Sequence, residues 1–257
     1  MIRFKSLGSG STGNATLVEA RGDTTVRLLI DCGLGLRQLS SRLGDAGLGD
    51  EDIDAIFITH EHSDHIGCAR QFSRRHRVPV WMSRGTFTAL DTPDFAGMLR
   101  IAQDGVSVDI GGLQVTPFTV PHDSREPLQL TCTDGAVKLG VLTDLGHATP
   151  HVLAHLHRCD ALFLESNHDS DLLAASSYPA FLKRRISGQY GHLSNDAAAQ
   201  IARAVDHPGL KHVVAAHLSQ QNNHPDLVQE LLSQALNCRR DDIVVACAGM
   251  GSPWLTL

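Results

Sequence analysis

Residues 2–7, 15–20 and 25–31 are predominantly apolar and are joined by turns rich in Gly, Asp and Asn, which predicts three strands. Residues 34–43 carry apolar positions at helical spacing and stop near Gly44, which predicts a helix. The run from Ile53 to Ile58 reads as a buried strand over 53–59, followed by a helix from about Asp64 to Arg77 and a strand from Val78 to Met82. Short strands are expected at 106–110, 113–120, 128–133 and 137–143. After Pro150 a helix carries His151, His155 and Leu156, and Ala161 to Leu164 is a buried strand. Helices at 178–187, 194–205 and 225–236 and strands at 211–216 and 243–247 complete the pattern.

Strands and helices thus occur twice over, in two successive halves. Two mixed sheets packed face to face with helices outside, an α/β (α+β) sandwich of four αββα layers, accommodate that order. Periodicity alone does not separate this from a doubly wound single sheet.

Composition narrows the class. The chain has 257 residues, 42% hydrophobic and 19% charged, enough for one α/β domain over 1–257, and no linker, repeat or low-complexity tract divides it. No run approaches the ~20 apolar residues of a membrane span. Met1-Ile2-Arg3-Phe4-Lys5 reads as a first strand rather than a signal peptide. Cys32, Cys68, Cys132, Cys159, Cys238 and Cys247 form no C-x-x-C pair, so buried thiols in a cytoplasmic protein are expected. A net charge of −6 argues against a non-specific DNA-coating protein. It leaves room for a phosphodiester substrate held by metal ions and a local basic patch.

The stretch Thr59-His60-Glu61-His62-Ser63-Asp64-His65 supplies chemistry. His60 and His62 share a face on extended backbone, while Asp64 and His65 begin the next helix and can bind from the other side. Neutral imidazole and carboxylate suit zinc, manganese or iron in the divalent state. One metal needs three or four protein ligands, so this cluster with downstream residues would suit a pair.

Other apolar runs end in the same way. Val120-Pro121-His122-Asp123 places His122 as a third imidazole, Asp144 closes the run from Leu139 and could bridge two ions, and His217 follows Val213 to Ala216 and could complete a second site. His192, just before a helix capped by Ser194 or Asn195, is expected at the pocket mouth, free to pass protons. Glu165 at a strand end could orient His192 or a metal-bound histidine, a role also open to Asp31. Gly8-Ser9-Gly10-Ser11-Thr12-Gly13 matches G-x-G-x-x-G, but the strand pattern that follows denies it a dinucleotide-binding context. It reads either as a loop lining the active-site rim with Ser11 and Asn14 or as a plain hairpin turn. His147, His151 and His155 are expected to be solvated, and no G-x-S-x-G nucleophile elbow occurs. Arg70, Arg74, Arg75 and Arg77 read as a solvated face, whereas Lys183, Arg184 and Arg185, upstream of His192, are candidates to face a phosphate.

In order, His60-x-His62-x-Asp64-His65, His122, Asp144 and His217 resemble the ligand motifs of the metallo-β-lactamase fold superfamily. The chain is more closely similar to its YycJ (WalJ, VicX) branch, through Gly8 to Asn14, Val120 to Ser124 with Glu126-Pro127, Glu165 to Asp169, Gly191 to Asn195, and His217-Leu218-Ser219 with Asn222-Asn223. The resemblance implies an αββα hydrolase with two metal ions, one held by His60, His62 and His122, the other by Asp64, His65 and His217, with Asp144 between them. It also implies phosphodiester cleavage, including exonuclease action on DNA, with likeness to ribonuclease Z and phosphonate-pathway phosphodiesterases, and makes His192 the proton donor. The extra recognition insertions of larger nuclease relatives are missing from this chain.

The mechanism expected on this basis is attack by a hydroxide bridging the ions, since a bound metal lowers the pKa of water from 15.7 to roughly 7. His192, steered by Glu165, then protonates the leaving alkoxide, and Asp64 is indispensable as a ligand. The same ligands would also serve a small-molecule hydrolase acting on a cyclic phosphodiester, a thioester or a lactam. A non-catalytic metal-binding signalling partner is disfavoured, because structural sites need no open water position.

Overall fold

The computed structural model describes residues 1–257. Its first sheet contains β1 (Ile2–Gly8), β2 (Ala15–Arg21), β3 (Thr25–Ile30), β4 (Ala55–Phe57), β5 (Val80–Ser83) and β6 (Leu99–Ala102). The second contains β7 (Val108–Ile110), β8 (Leu113–Thr119), β9 (Leu128–Thr133), β10 (Lys138–Leu142), β11 (Ala161–Glu165), β12 (His212–Ala216) and β13 (Ile243–Val245). The last strand, β14 (Leu255–Thr256), returns to the edge of the first sheet beside β1. Each sheet is half antiparallel and half parallel: β3 to β6 run parallel in the first, β10 to β13 in the second.

Burial decides between the two architectures left open by periodicity. Leu17 and Val18 are adjacent on β2 and both buried, because one faces helices and the other faces the second sheet. Phe4, Val18, Leu28 and Phe57 from one sheet meet Val115, Leu130, Val141 and Phe163 from the other in the central core. Outside the first sheet, α1 (Leu36–Asp45), α2 (Ser63–Ile66), α3 (Ala69–His76) and α4 (Arg84–Ala89) follow in chain order, with Leu39, Leu43 and Phe72 packed on Leu29 and Ile56. After them come α5 (Pro150–Leu156), α6 (Ser170–Ala175), α7 (Ala180–Ile186), α8 (Asn195–Val205) and α9 (Pro225–Leu236). Val152, Ile201 and Leu232 cover the second sheet through Leu162, Leu164 and Val213. The result is helix, sheet, sheet, helix.

Several expectations are corrected. The helix expected over 64–77 is divided into α2 and α3 at Gly67, which has φ 29°, and a Cβ there would lie 2.4 Å from the Cys32 carbonyl oxygen. That close approach lets Cys32 N–H donate to His65 O at 2.8 Å and Cys68 N–H to Cys32 O at 3.0 Å, tying α2 to the end of β3. The strand expected at 53–59 pairs only over Ala55–Phe57, so its last residues are free to turn toward the other sheet. Helices α4 and α6 and strands β6 and β14 were not expected; each has six residues or fewer. Cys238 and Cys247 are exposed, while the other four thiols are buried; all six are free. No helix is long and apolar enough to cross a membrane.

Candidate metal centre

The carboxyl ends of the parallel strands in both sheets open at one edge of the sandwich, the usual location of sites in such sheets. His60 lies just beyond β4, and His62 precedes α2, which carries Asp64 and His65. His122 follows β8, Asp144 follows β10, Glu165 ends β11 and His217 follows β12. His217 occupies the left-handed region with φ 56°, a conformation that ordinary residues adopt only when held there. It is held: its N–H donates to Ser9 Oγ at 2.8 Å, and its carbonyl accepts from Asn167 Nδ2 at 3.0 Å.

His60 Nε2 lies 3.0 Å from His62 Nδ1, which lies 3.4 Å from His122 Nε2. Three imidazole nitrogens converge there. Tetrahedral zinc with bonds of about 2.0–2.1 Å separates its ligand atoms by about 3.4 Å, which fits this spacing. Beside this trio, Asp64 Oδ2 lies 3.7 Å from His65 Nε2 and 3.6 Å from His217 Nε2. Asp144 stands between the two groups, with Oδ2 2.9 Å from His65 Nε2 and Oδ1 4.0 Å from His122 Nε2. His217 Nε2 is buried and has no hydrogen-bond partner, and buried Asp144 Oδ2 has none besides the His65 ring beside it. Buried atoms of this kind fit divalent cations and are otherwise costly.

The outward ring nitrogens fix several of the candidate ligands in place. His65 Nδ1 donates to Asp31 Oδ2 at 2.8 Å, His122 Nδ1 to Gly191 O at 3.0 Å, and His60 Nδ1 to Thr59 Oγ1 at 3.0 Å. Thr59 in turn donates to Asp31, whose Oδ1 also accepts Thr59 N–H at 2.8 Å. On the neutral rings of His60 and His122 such bonds select the tautomer that leaves the inward nitrogen bare. Electrostatics agree for those two and differ for His65. Burial and the neighbouring imidazoles push His60 well below its ordinary pKa, and burial lowers His122, so both are neutral donors. Burial would also lower His65, but the Asp144 and Asp31 carboxylates overcome it and hold its imidazolium up to about 10. Asp144 is lowered far below the carboxylate range against its burial by His217 and His65. The surplus of carboxylate here calls for positive charge, which bound cations would provide.

His192 sits in the loop between α7 and α8. Its Nδ1 lies 2.7 Å from Glu165 Oε1 and 3.1 Å from Asp144 Oδ1. Glu165 Oε2 accepts the N–H groups of Leu145 at 2.7 Å and Leu193 at 3.3 Å, and Oε1 also lies 3.4 Å from His217 Nδ1. Although burial alone would lower His192, Glu165 and Asp144 hold it up to about 9. The centre opens into a cleft of roughly 360 Å³ lined by Asp64, Asp144, His192, His217, Ser11 and Arg185 among others.

The other expected residues separate. The glycine-rich loop does join antiparallel β1 and β2 as a hairpin, and Ser11 reaches the cleft. Asn14 lies behind the ligands instead, 3% exposed, its Nδ2 3.1 Å from His65 Nε2 and its Oδ1 accepting Gly10 N–H at 2.8 Å. Of the basic run only Arg185 lines the cleft; Lys183 donates to Ala174 O at 2.6 Å, and Arg184 is not among the lining residues. His151 bonds Asp104, His147 bonds Gln189 O, and His155 stacks on Phe118, so these three are engaged locally and apart from the ligands. Arg70 and Arg74 bond Asp94 on the surface. Sequence reasoning missed Ser9, Thr59 and Asp123. Asp123 follows His122 directly, lies 3.4 Å from that residue's Nε2 and accepts from Arg185 Nε at 2.6 Å.

The fold, with His and Asp side chains gathered where they could hold metal ions, defines an αββα hydrolase scaffold, and residues 26–218 match the beta-lactamase superfamily domain. The chain is 33% identical over 240 residues to exodeoxyribonuclease YycJ of Bacillus anthracis, covering 91% of this chain and 89% of that protein. To exodeoxyribonuclease WalJ of Streptococcus pneumoniae it is 30% identical over 231 residues, covering 88% and 85%. The crystal structure of the metallo-beta-lactamase fold protein YhfI from Bacillus subtilis shares the fold, with a TM-score of 0.75, 17% identity and coverage of 99% and 98%. The chain belongs to the beta-lactamase superfamily, within the branch that contains YycJ and WalJ.

Proposed function

We propose that this protein is a phosphodiesterase acting on nucleic acid, an exonuclease on DNA in the manner its YycJ and WalJ relatives are named for. His60, His62 and His122 would hold one divalent cation and Asp64, His65 and His217 another, with Asp144 shared; the nitrogen-rich donor set suits zinc or manganese. When bound, the pair supplies Lewis acidity that ionises water near neutral pH and neutralises charge on phosphoryl oxygens.

The observation that carries the reading is the placement of His192. Glu165 occupies its Nδ1, its Nε2 has no protein partner, and the ring lines the cleft beside Asp144. Held protonated to about 9, it carries at neutral pH a proton on Nε2 that a leaving alkoxide needs and a thiolate does not. Arg185 brings a guanidinium to the same wall, its Nη atoms free of partners, and is suited to a neighbouring phosphate. Six free thiols support a cytoplasmic setting.

The test is metal analysis of the purified protein with a substrate panel: labelled DNA and RNA oligonucleotides, bis(p-nitrophenyl) phosphate and a thioester. Progressive shortening of DNA by protein holding two ions per chain is expected. Thioester hydrolysis with every phosphodiester left intact would assign the centre to acyl transfer, and two-metal protein inert on all substrates would return it to a binding role.

A further inference from the structure

Of the six free thiols, Cys32 and Cys68 touch: their Sγ atoms lie 3.5 Å apart and share a hydrogen bond, although 36 residues separate them in the chain. Neither lines the cleft. Cys32 is fully buried, whereas Cys68 is 6% exposed and follows exposed Gly67, so a small reagent meets the Cys68 sulfur first.

The pair brackets α2, the short helix that carries Asp64 and His65. Cys32 N–H donates to His65 O at 2.8 Å, and Cys68 N–H donates to Cys32 O at 3.0 Å. Directly before Cys32, Asp31 holds His65 Nδ1 at 2.8 Å. Directly after it, a Cβ on Gly33 would stand 1.7 Å from the Asp64 carbonyl oxygen. Residues 31–33 are thus the seat of α2, and the Cys32 side chain rises from the middle of that seat.

A disulfide needs its sulfurs about 2.05 Å apart, so closing this pair draws them about 1.5 Å nearer. The backbone on both sides is already tied, so the movement passes to α2 and to the His65 ring against Asp31. A bound cation tolerates displacements of only about 0.2 Å in its ligands. We infer that Cys32 and Cys68 form a reversible disulfide whose closure loosens the cation site of Asp64, His65 and His217. This rests on the two-metal reading and adds an oxidant-sensitive site to it. Hydrogen peroxide oxidises the Cys68 thiol to a sulfenic acid and releases one water. The Cys32 sulfur then attacks the Cys68 sulfur, the S–S bond forms and a second water leaves. One peroxide thereby takes two electrons from two thiols, and a reductant returns them. Where disulfides occur in a reducing compartment, they are of this transient kind.

The experiment uses the full chain with C238S/C247S, which removes the exposed thiols and with them cross-links between chains. The zinc-loaded protein is treated with peroxide and freed of unbound metal. Zinc is then counted, and the chain is digested without reduction for mass spectrometry. Expected are a peptide holding Cys32 joined to one holding Cys68, and bound zinc falling from two per chain toward one. Reduction with a phosphine and fresh zinc should restore two. Adding C68S should abolish the joined peptide and keep zinc bound through the treatment. Each preparation is compared with itself before oxidation and after reduction, so a fold weakened by substitution does not imitate the result. No joined peptide at a peroxide dose that oxidises Cys238 and Cys247 of wild type overturns the proposal. A joined peptide with zinc unchanged, or a zinc loss that C68S does not prevent, overturns it equally while leaving the metal centre intact. Reduced protein that holds no zinc, manganese or iron overturns both.

Discussion

His192 Nδ1 lies 2.7 Å from Glu165 Oε1, and the carboxylate is itself fixed by the Leu145 and Leu193 N–H groups. The imidazole is therefore pinned on its far nitrogen, and its Nε2 is left for the cleft. If it serves as proton donor, H192A should lower kcat on DNA by about 10²–10⁴-fold. Metal content should stay at the wild-type value, since the ligands named above remain. Measuring both on one preparation separates a donor from a ligand: loss of an ion in H192A would make His192 a metal ligand and remove the donor assignment.

Glu165 acts through His192, and pH reveals it. With its pKa raised to about 9, His192 is protonated in the neutral range and surrenders its proton as pH rises through that value. Turnover should decline on the alkaline side accordingly. E165Q removes the nearby charge that raises the pKa, so the alkaline limb of kcat should move toward neutrality while bound metal is retained. A limb in the same place in both proteins would show that Glu165 supports structure only.

Much of this centre was legible because its parts are local. Apolar runs ending in His60, His122, Asp144 and His217 mark strand tips wherever the chain carries them. What was illegible depends on approach between distant segments. The division of the helix at Gly67 follows from contact with Cys32, Ser9 matters only because β12 ends beside it, and Asp123 only because Arg185 arrives from α7. None of these contacts leaves a periodic trace. Asn14 was misplaced for the same reason: its side chain turns inward to Asp64 and His65 rather than outward to the rim. The short β6 and β14 exist by pairing with β5 and β1, and no run of their length specifies itself.

Asp144 touches both ligand groups, and Oδ2 has no other partner. D144N should therefore reduce bound metal to below one ion per chain and abolish hydrolysis. Chelation should lower the Tm of wild type by roughly 5–10 °C, the effect of losing ligands present at about 100 times their Kd in a chain of this size. The same chelator should leave the Tm of D144N nearly unmoved. Identical melting of wild type with and without chelator would show that the buried cluster is self-sufficient and that cations are not its partners.

Away from the centre, Glu19 on β2 is fully buried and receives Arg3 Nε at 2.6 Å, Arg21 Nε at 2.6 Å and Arg27 Nε at 2.8 Å. Burial acts to raise its pKa, yet the three arginine hydrogen bonds lower it from the ordinary 4.5 to about 2. Because the folded-state value is the lower one, the ionised group stabilises the fold fully above about 4.5, and that contribution is lost as pH falls through about 2. E19Q should cost about 2 kcal/mol at pH 7, where charged hydrogen bonds are exchanged for neutral ones. The gap between variant and wild type should narrow steadily from pH 4.5 downward. Urea titrations of both proteins at pH 7, 4 and 3, with chelator present so that metal release does not intrude, measure it directly. A gap that is constant across these pH values would mean that the arginines hold Glu19 by packing and not by its charge.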